Sequence, residues 1–240
     1  MSLAARHDAI ATRTSALAAE FVGTLLLLAI VVGGGIMGQR LASGNDGIAL
    51  LANAAAAAGG LYVLIALLGP ISGAHFNPAV TLSMRMRGET LPAPWALYSL
   101  VQIIGAVLGV WLAHAMFELP LWQPGTRVRT GPAQGLSEGV ATFGLMLTIL
   151  LGARFRPATM PVLVASWIFA AYWFTASASF ANPAVTLARA LTQSFAGIRG
   201  IDVAGFVIAQ LAGAVVALAV VRVLFPERPS ATTRRLSPAS

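Results

Sequence analysis

The chain has 240 residues, of which 58% are hydrophobic and only 10% charged, whereas soluble globular proteins carry about 25% charged residues. It contains no cysteine, which excludes a disulfide framework and a thiolate metal site. The net charge of +7 comes from arginines that lie between apolar spans. Membrane topology therefore explains the charge better than nucleic acid does, and the predicted partner is the lipid bilayer.

Six apolar spans follow a polar N-terminal segment (1–16), and most have about 18–22 residues, enough to cross roughly 30 Å of hydrocarbon. The sequence thus predicts an all-α membrane domain over 17–225, and the Pro-, Ser-, Thr- and Arg-rich segment 226–240 is predicted to be a disordered tail. The predicted spans are Leu17–Met37, Ile48–Leu68, Trp95–Met116, Gln134–Leu151, Met160–Ser177 and Val203–Leu224.

The sequence NPAVTL occurs twice, once beginning Asn77-Pro78-Ala79 and once beginning Asn182-Pro183-Ala184. Asparagine suits a helix N-cap, and proline suits the first helical turn, where its missing N–H costs nothing. Each copy is therefore predicted to start a short helix of about ten residues, which cannot cross a bilayer. Two such re-entrant half-helices are typical of a membrane protein whose solute path lies at the interface of two repeats.

Polar residues within the spans repeat in the same order. Glu20 in the first span and Glu138 in the fourth each precede a threonine by four residues, and Gln102 in the third span and Gln210 in the sixth each precede Gly-Ala-Val. Three spans in each half make the halves inverted in the membrane. Repeat one is placed at about 17–117 and repeat two at about 134–225.

The pattern Ser-Gly-x-His-x-Asn-Pro-Ala-Val-Thr beginning at Ser72, with the second Asn-Pro-Ala motif at Asn182, resembles the aquaporin (major intrinsic protein) family. The resemblance covers nearly the whole chain. It implies six transmembrane helices plus two half-helices, a homotetramer with one pore in each subunit, and passage of water and small neutral solutes. No cofactor is implied.

The arginines predict the orientation. With the N-terminus inside, the inner segments hold ten arginines and the outer segments hold five, namely Arg40, Arg127, Arg129, Arg189 and Arg199. Because inner loops are enriched in arginine and lysine, both termini are predicted to be cytoplasmic in a multi-pass cell (inner) membrane protein.

The two motif asparagines are the main candidates for solute contact. If the half-helices meet in mid-membrane, the carboxamides of Asn77 and Asn182 point donors into the pore, and the positive helix N-termini repel protons and other cations. The alternative is that both asparagines only cap helices.

The buried carboxylates allow two interpretations. Glu20 and Glu138 could relay protons, as in a pump, or accept hydrogen bonds from unpaired N–H groups of the re-entrant loops. The repeated positions and the family resemblance favour the structural role, with Gln102 and Gln210 as interhelical partners. His75 is interpreted as a hydrogen-bonded structural residue. No metal-ligand cluster and no catalytic motif is visible, so no enzymatic activity is predicted.

The chain departs from the family at its narrowest point. Most aquaporins carry an arginine directly after the second Asn-Pro-Ala, and here that residue is Val185. Counting from the motifs without gaps, the resemblance puts the other filter positions at Ala57, Ala170 and Ser179. Arg189, one turn further on, is expected to point along the half-helix rather than into the pore.

These departures imply a wide filter without arginine, which resembles the bacterial branch of the family that is associated with arsenic resistance. Glycerol, arsenite and methylated arsenicals are the candidate solutes. A gap of two or three residues in the alignment would instead bring one of the aromatic residues at 172–174 into the filter and narrow it. A proton-coupled secondary transporter on the same repeat, and a non-conducting membrane scaffold, are the alternatives.

Overall fold

The structure is a computed structural model that describes residues 12–226. Most of the predicted N-terminal segment and nearly all of the predicted tail lie outside the described residues.

Eight α-helices make up the described part of the chain, and six of them are long and apolar enough to cross a membrane. The helices are α1 Arg13–Leu41, α2 Asp46–Ser72, α3 Pro78–Met86, α4 Trp95–Met116, α5 Pro132–Phe155, α6 Met160–Phe174, α7 Pro183–Arg189 and α8 Val203–Leu224. Short 3₁₀ turns at Pro157–Thr159 and Gly200–Asp202 precede α6 and α8. The predicted all-α fold with six long helices and two short ones is confirmed.

Most predicted spans agree with the helices, and two of them have the predicted bounds. The prediction for α6 was wrong at its end. The chain leaves the helix after Phe174, because Thr175 adopts an extended backbone, so the predicted extension to Ser177 belongs to the loop before α7.

The two short helices begin as the sequence predicts. Asn77 and Asn182 are N-caps with extended backbone, and each side-chain Oδ1 accepts a hydrogen bond from the N–H two residues on, at 2.9 Å in both cases. Proline follows at the first helical position. Helices α3 and α7 have 9 and 7 residues, which is too short to cross a bilayer.

The helix contacts repeat between the two halves. Helix α1 packs against α2 and α4, and α5 packs in the same way against α6 and α8. Each half-helix contacts the last long helix of both halves: α3 packs on α4 and α8, and α7 packs on α8 and α4. Exchanging the halves therefore reproduces these contacts, as the inverted repeat requires.

Glycines allow the closest of these helix contacts. A Cβ added at Gly109 of α4 would lie 2.2 Å from the Leu25 carbonyl oxygen of α1, and one added at Gly213 of α8 would lie 2.2 Å from the Gly139 carbonyl oxygen of α5. Small residues serve this purpose in membranes, where helices associate through close packing.

We expect Gly109→Ala to destabilise the protein by about 1–3 kcal/mol, because the methyl group forces α1 and α4 apart. Thermal unfolding in detergent measures the change. Gly135→Ala is the matched control, since its Cβ would meet no atom within 4 Å. Equal unfolding temperatures for the two variants would contradict the proposed packing.

Candidate functional site

The two half-helices meet at their N-termini and are linked by reciprocal hydrogen bonds. Nδ2 of Asn77 donates to the carbonyl oxygen of Ala181 at 2.8 Å, and Nδ2 of Asn182 donates to that of Phe76 at 2.7 Å. Each asparagine therefore caps its own helix and holds the loop before the other one. A carboxamide nitrogen carries two hydrogens, so each side chain retains one N–H that these contacts do not use.

The residues before the two asparagines have an unusual backbone. Phe76 and Ala181 adopt φ values of 48° and 50°, in the left-handed region that disfavours residues with a Cβ. Such a conformation persists only where its surroundings hold it. In both loops the holding group is a buried carboxylate.

Glu20 holds the first loop. Its Oε1 accepts from the His75 N–H at 2.9 Å and from Ser72 Oγ at 2.7 Å, and its Oε2 accepts from the Phe76 N–H at 2.7 Å and from Gln102 Nε2 at 2.7 Å. Glu20 and Gln102 are fully buried. The predicted contact between this carboxylate and the loop is confirmed.

Glu138 holds the second loop in the same way. Its two oxygens accept from the N–H groups of Phe180 and Ala181, both at 2.9 Å, and Oε2 also accepts from Gln210 Nε2 at 2.6 Å. The second predicted contact is likewise confirmed.

The two glutamines connect each carboxylate to its half-helix. Gln102 Nε2 also donates to Thr81 Oγ1 at 3.0 Å, and Gln210 Nε2 donates to Thr186 Oγ1 at 2.8 Å. Both threonines lie in the first turn after an Asn-Pro-Ala motif. Each repeat thus contains one continuous chain of hydrogen bonds from glutamate through glutamine to the half-helix.

A cavity of about 300 Å³ runs past both asparagines. Its helical walls are rows of residues at i, i+4 spacing, which lie on one face of a helix. These rows include Leu27 and Val31 on α1, Ala57, Leu61 and Ile65 on α2, Leu145 and Ile149 on α5, and Val164, Ile168 and Tyr172 on α6. Neither Glu20 nor Glu138 lines the cavity.

A sequence model described as Major intrinsic protein matches residues 9–160 and 158–239. The chain is 55% identical over 212 residues to the aquaglyceroporin AqpS of Rhizobium meliloti (strain 1021), covering 88% of this chain and 91% of that protein. The chain belongs to the major intrinsic protein family.

Two further comparisons agree with this assignment. A probable aquaporin PIP2-8 of Oryza sativa subsp. japonica is 44% identical over 99 residues, which are 41% of this chain and 35% of that protein. The X-ray structure of the aquaglyceroporin from Plasmodium falciparum has a TM-score of 0.68 at 19% identity, covering 87% of this chain and 95% of that one, and supports the fold.

Three of the four positions that the family resemblance assigned to the filter line the cavity: Ala57, Ser179 and Val185. Ala170 does not. It is exposed on the outer side of α6 and is absent from the cavity wall. Residues two apart on a helix are rotated by about 200°, so they lie on nearly opposite faces. Ile168 and Tyr172, two residues on either side of Ala170, therefore face the cavity. Counting without a gap was therefore wrong at this position, and the aromatic Tyr172 lines the cavity there.

Arg189 was also expected in the wrong place. It lines the cavity and is only 2% exposed. The reason is local: Val185 and Arg189 are one turn apart and share a face of α7, and helical side chains lean toward the N-terminus of their helix. Its spacing from Val185 was the sequence signal that could have identified it.

His75 also lines the cavity. Its Nδ1 lies 3.1 Å from Thr81 Oγ1, and its ring lies 5.7 Å from that of Tyr98. These contacts fit the predicted structural role. Within residues 12–226, no group of three or more His, Asp or Glu side chains could hold a metal ion.

We expect Glu138→Gln to lower the free energy of unfolding by about 1–3 kcal/mol, because the glutamine NH₂ would face donors that the carboxylate now accepts from. Thermal unfolding in detergent is measured beside glycerol and water permeability, whose ratio should change little. Glu118→Gln, at an exposed carboxylate, is the control. Unchanged unfolding combined with loss of proton-driven uptake would instead support a transporter.

Proposed function

We propose that this membrane channel for water and small solutes passes uncharged solutes larger than water, with glycerol as the first candidate and arsenite or methylated arsenicals as further ones. The proposal rests mainly on Val185, which occupies the position after the second Asn-Pro-Ala and lines the cavity. Most aquaporins carry an arginine at this position. A valine neither fills the cross-section of the pore nor donates hydrogen bonds as that guanidinium does.

The lining of the cavity supports this proposal. Ala57 and Val185 are small and apolar, so a solute with a carbon skeleton can keep apolar contacts with this wall. Tyr172 also lines the cavity and occupies part of its width, so the proposed solutes are small. The relative from Rhizobium meliloti is named an aquaglyceroporin, which agrees with a polyol solute.

Cation exclusion does not depend on residue 185 in this proposal. The N-termini of α3 and α7 face each other at the asparagines, and their partial positive charges oppose a passing cation. The remaining N–H groups of Asn77 and Asn182 replace part of a solute's hydration shell. Protons should therefore be excluded while neutral solutes pass.

The buried carboxylates argue against proton coupling. Glu20 and Glu138 are saturated with hydrogen bonds from loop N–H groups and glutamines, and they lie away from the cavity wall. A carboxylate that couples proton movement must exchange its proton with a water-filled path. Downhill flux without a proton gradient is the expected behaviour.

We expect Val185→Phe to reduce glycerol flux at least about tenfold and water flux less. The ring narrows the filter at residue 185, and glycerol is larger than water. Stopped-flow light scattering of proteoliposomes measures both fluxes, and a pH-sensitive dye inside reports protons. Val185→Arg would narrow the pore too, but it adds a like charge beside Arg189, so phenylalanine is the cleaner change.

Leu187→Phe is the matched control, because Leu187 lies on the same half-helix but is exposed and away from the cavity. Equal losses of water and glycerol flux in Val185→Phe would indicate a misfolded half-helix. Unchanged glycerol flux would mean that residue 185 does not line the constriction.

We further propose a homotetramer of one channel domain (17–225) in the cell (inner) membrane, with both termini cytoplasmic. The arginines support this orientation, because each of the five on the predicted outer side has a structural partner: Arg40 donates to Phe117, Arg199 to Asp202, and Arg127, Arg129 and Arg189 to loop carbonyls. These five outer arginines therefore have structural roles and do not count against the orientation that the ten inner arginines predict.

The orientation and assembly predict two measurable results. A reporter fused after residue 240 should respond as a cytoplasmic one, and native mass spectrometry from detergent should give four times the mass of the 24.8 kDa chain. A periplasmic reporter signal would reverse the orientation, and a monomer mass under mild conditions would contradict the tetramer.

A further inference from the structure

Arg189 has a side chain that helix packing alone does not explain. It is among the largest fully buried side chains, yet it also lines the solute cavity. A buried guanidinium normally uses its donors on protein acceptors. Only part of this one is used in that way.

The contacts of Arg189 fix its position and leave one end free. Nε donates to the carbonyl oxygen of Ala196, and the guanidinium carbon lies 3.3 Å from the ring centre of Phe180. Nη1 is buried and has no hydrogen-bond partner within residues 12–226. The guanidinium is therefore oriented on one side and offers an unused donor on the other.

Two neighbouring arginines hold the same loop. Arg127 Nη1 donates to the carbonyl oxygen of Phe195 at 3.1 Å, and Arg129 Nε donates to that of Gly197 at 2.9 Å. Three consecutive carbonyls, at residues 195–197, thus accept from three arginines. The Arg129 guanidinium also lies 4.9 Å from the Phe180 ring centre.

The charge of Arg129 persists beside these neighbours. Burial, with the charges of Arg189 and Arg127, lowers the pKa of Arg129 to about 9. The side chain is therefore still protonated at neutral pH. Arg129 does not itself line the cavity, but its charge lies beside Phe180, which does, and there it opposes cations and favours oxygen acceptors.

A second unused polar atom lies in the same wall. Ser179 Oγ is buried, has no hydrogen-bond partner among the described residues, and belongs to a residue that lines the cavity. Buried polar atoms without partners are uncommon and call for an explanation. A solute with oxygens on neighbouring atoms could accept from Arg189 and exchange a hydrogen bond with Ser179.

We propose that Arg189 is the solute-selecting arginine of this channel, acting from one helical turn beyond the position of Val185, and that with Ser179 it binds adjacent oxygens of uncharged solutes. The solute class is vicinal polyols and small neutral oxyacids. The inference rests on the proposed function and names the residue that selects among its solutes.

The test compares glycerol with 1,3-propanediol, which has nearly the same size but lacks the middle hydroxyl, so that its two oxygens are not on neighbouring atoms. A wider pore raises the permeability of both solutes. The ratio of glycerol permeability to diol permeability therefore measures the contribution of the hydrogen-bond donors. Proteoliposomes of the full chain are used, and the permeability of empty vesicles is subtracted. We expect Arg189→Met to lower the ratio about fivefold, as the loss of one net hydrogen bond predicts, and Ser179→Ala to lower it less.

Arg40→Met is the matched control, because it removes a guanidinium contact from a backbone carbonyl, that of Phe117, but lies outside the loop at 195–197 and outside the cavity wall. Its ratio should stay native. Arg189→Lys keeps the charge and should keep proton exclusion, whereas Arg189→Met should admit more protons to the pH-sensitive dye. Water flux in each variant shows that the protein is folded and inserted.

The outcomes separate the two proposals. A native ratio in Arg189→Met with water flux retained would overturn the role of Arg189 and leave the wide channel standing. An equal fall in Arg40→Met would show that the loss of any neighbouring arginine, rather than of the Arg189 donor, sets the ratio, and would also overturn it. No glycerol flux above empty vesicles in the native protein would overturn the proposed function and this inference together.

Discussion

The channel depends on two carboxylates buried in the membrane. A re-entrant loop turns back inside the bilayer, where no water can pair with its N–H groups. Glu20 and Glu138 each accept from two such groups in succession, next to residues held at positive φ. Charge-assisted hydrogen bonds offset the cost of burying the charge. These bonds hold the two loops in the conformation that brings the half-helix N-termini together.

The sequence predicted the features whose causes are local or repeated. An Asn-Pro pair sets a helix start through capping and fixed φ, and the duplicated order of Glu, Asn-Pro-Ala and Gln made the loop contacts predictable. The position of Ala170 was not predictable in this way. Residues 175–182 between α6 and α7 are irregular, with positive φ at Ala178, Ser179 and Ala181. Counting back through this loop therefore does not fix which face of α6 a residue occupies.

The spacing from Val185 places Arg189 on the cavity-facing side of α7, but the direction of its guanidinium depends on a contact that spacing cannot reveal. Its guanidinium is oriented by a carbonyl of the loop that follows its own helix, and that loop is held by arginines that come before α5. In the sequence, Arg127 and Arg129 are simply two charged residues between the third and fourth apolar spans. Only the folded chain shows that they bind three consecutive carbonyls and that their neighbour enters the cavity.

The two repeats share a backbone but differ in the chemistry of the mouths they line. Three residues after the motif asparagines both halves have valine, Val80 and Val185, and both valines line the cavity. Four residues later the first repeat has Met84 and the second has Arg189, and both of these line it as well. The hydrogen bonds that support the loops come from equivalent positions in the two halves. They do not involve Met84 or the guanidinium of Arg189, so these two positions are free to differ. A change at one such position can therefore alter selectivity while the paired half-helices keep their geometry.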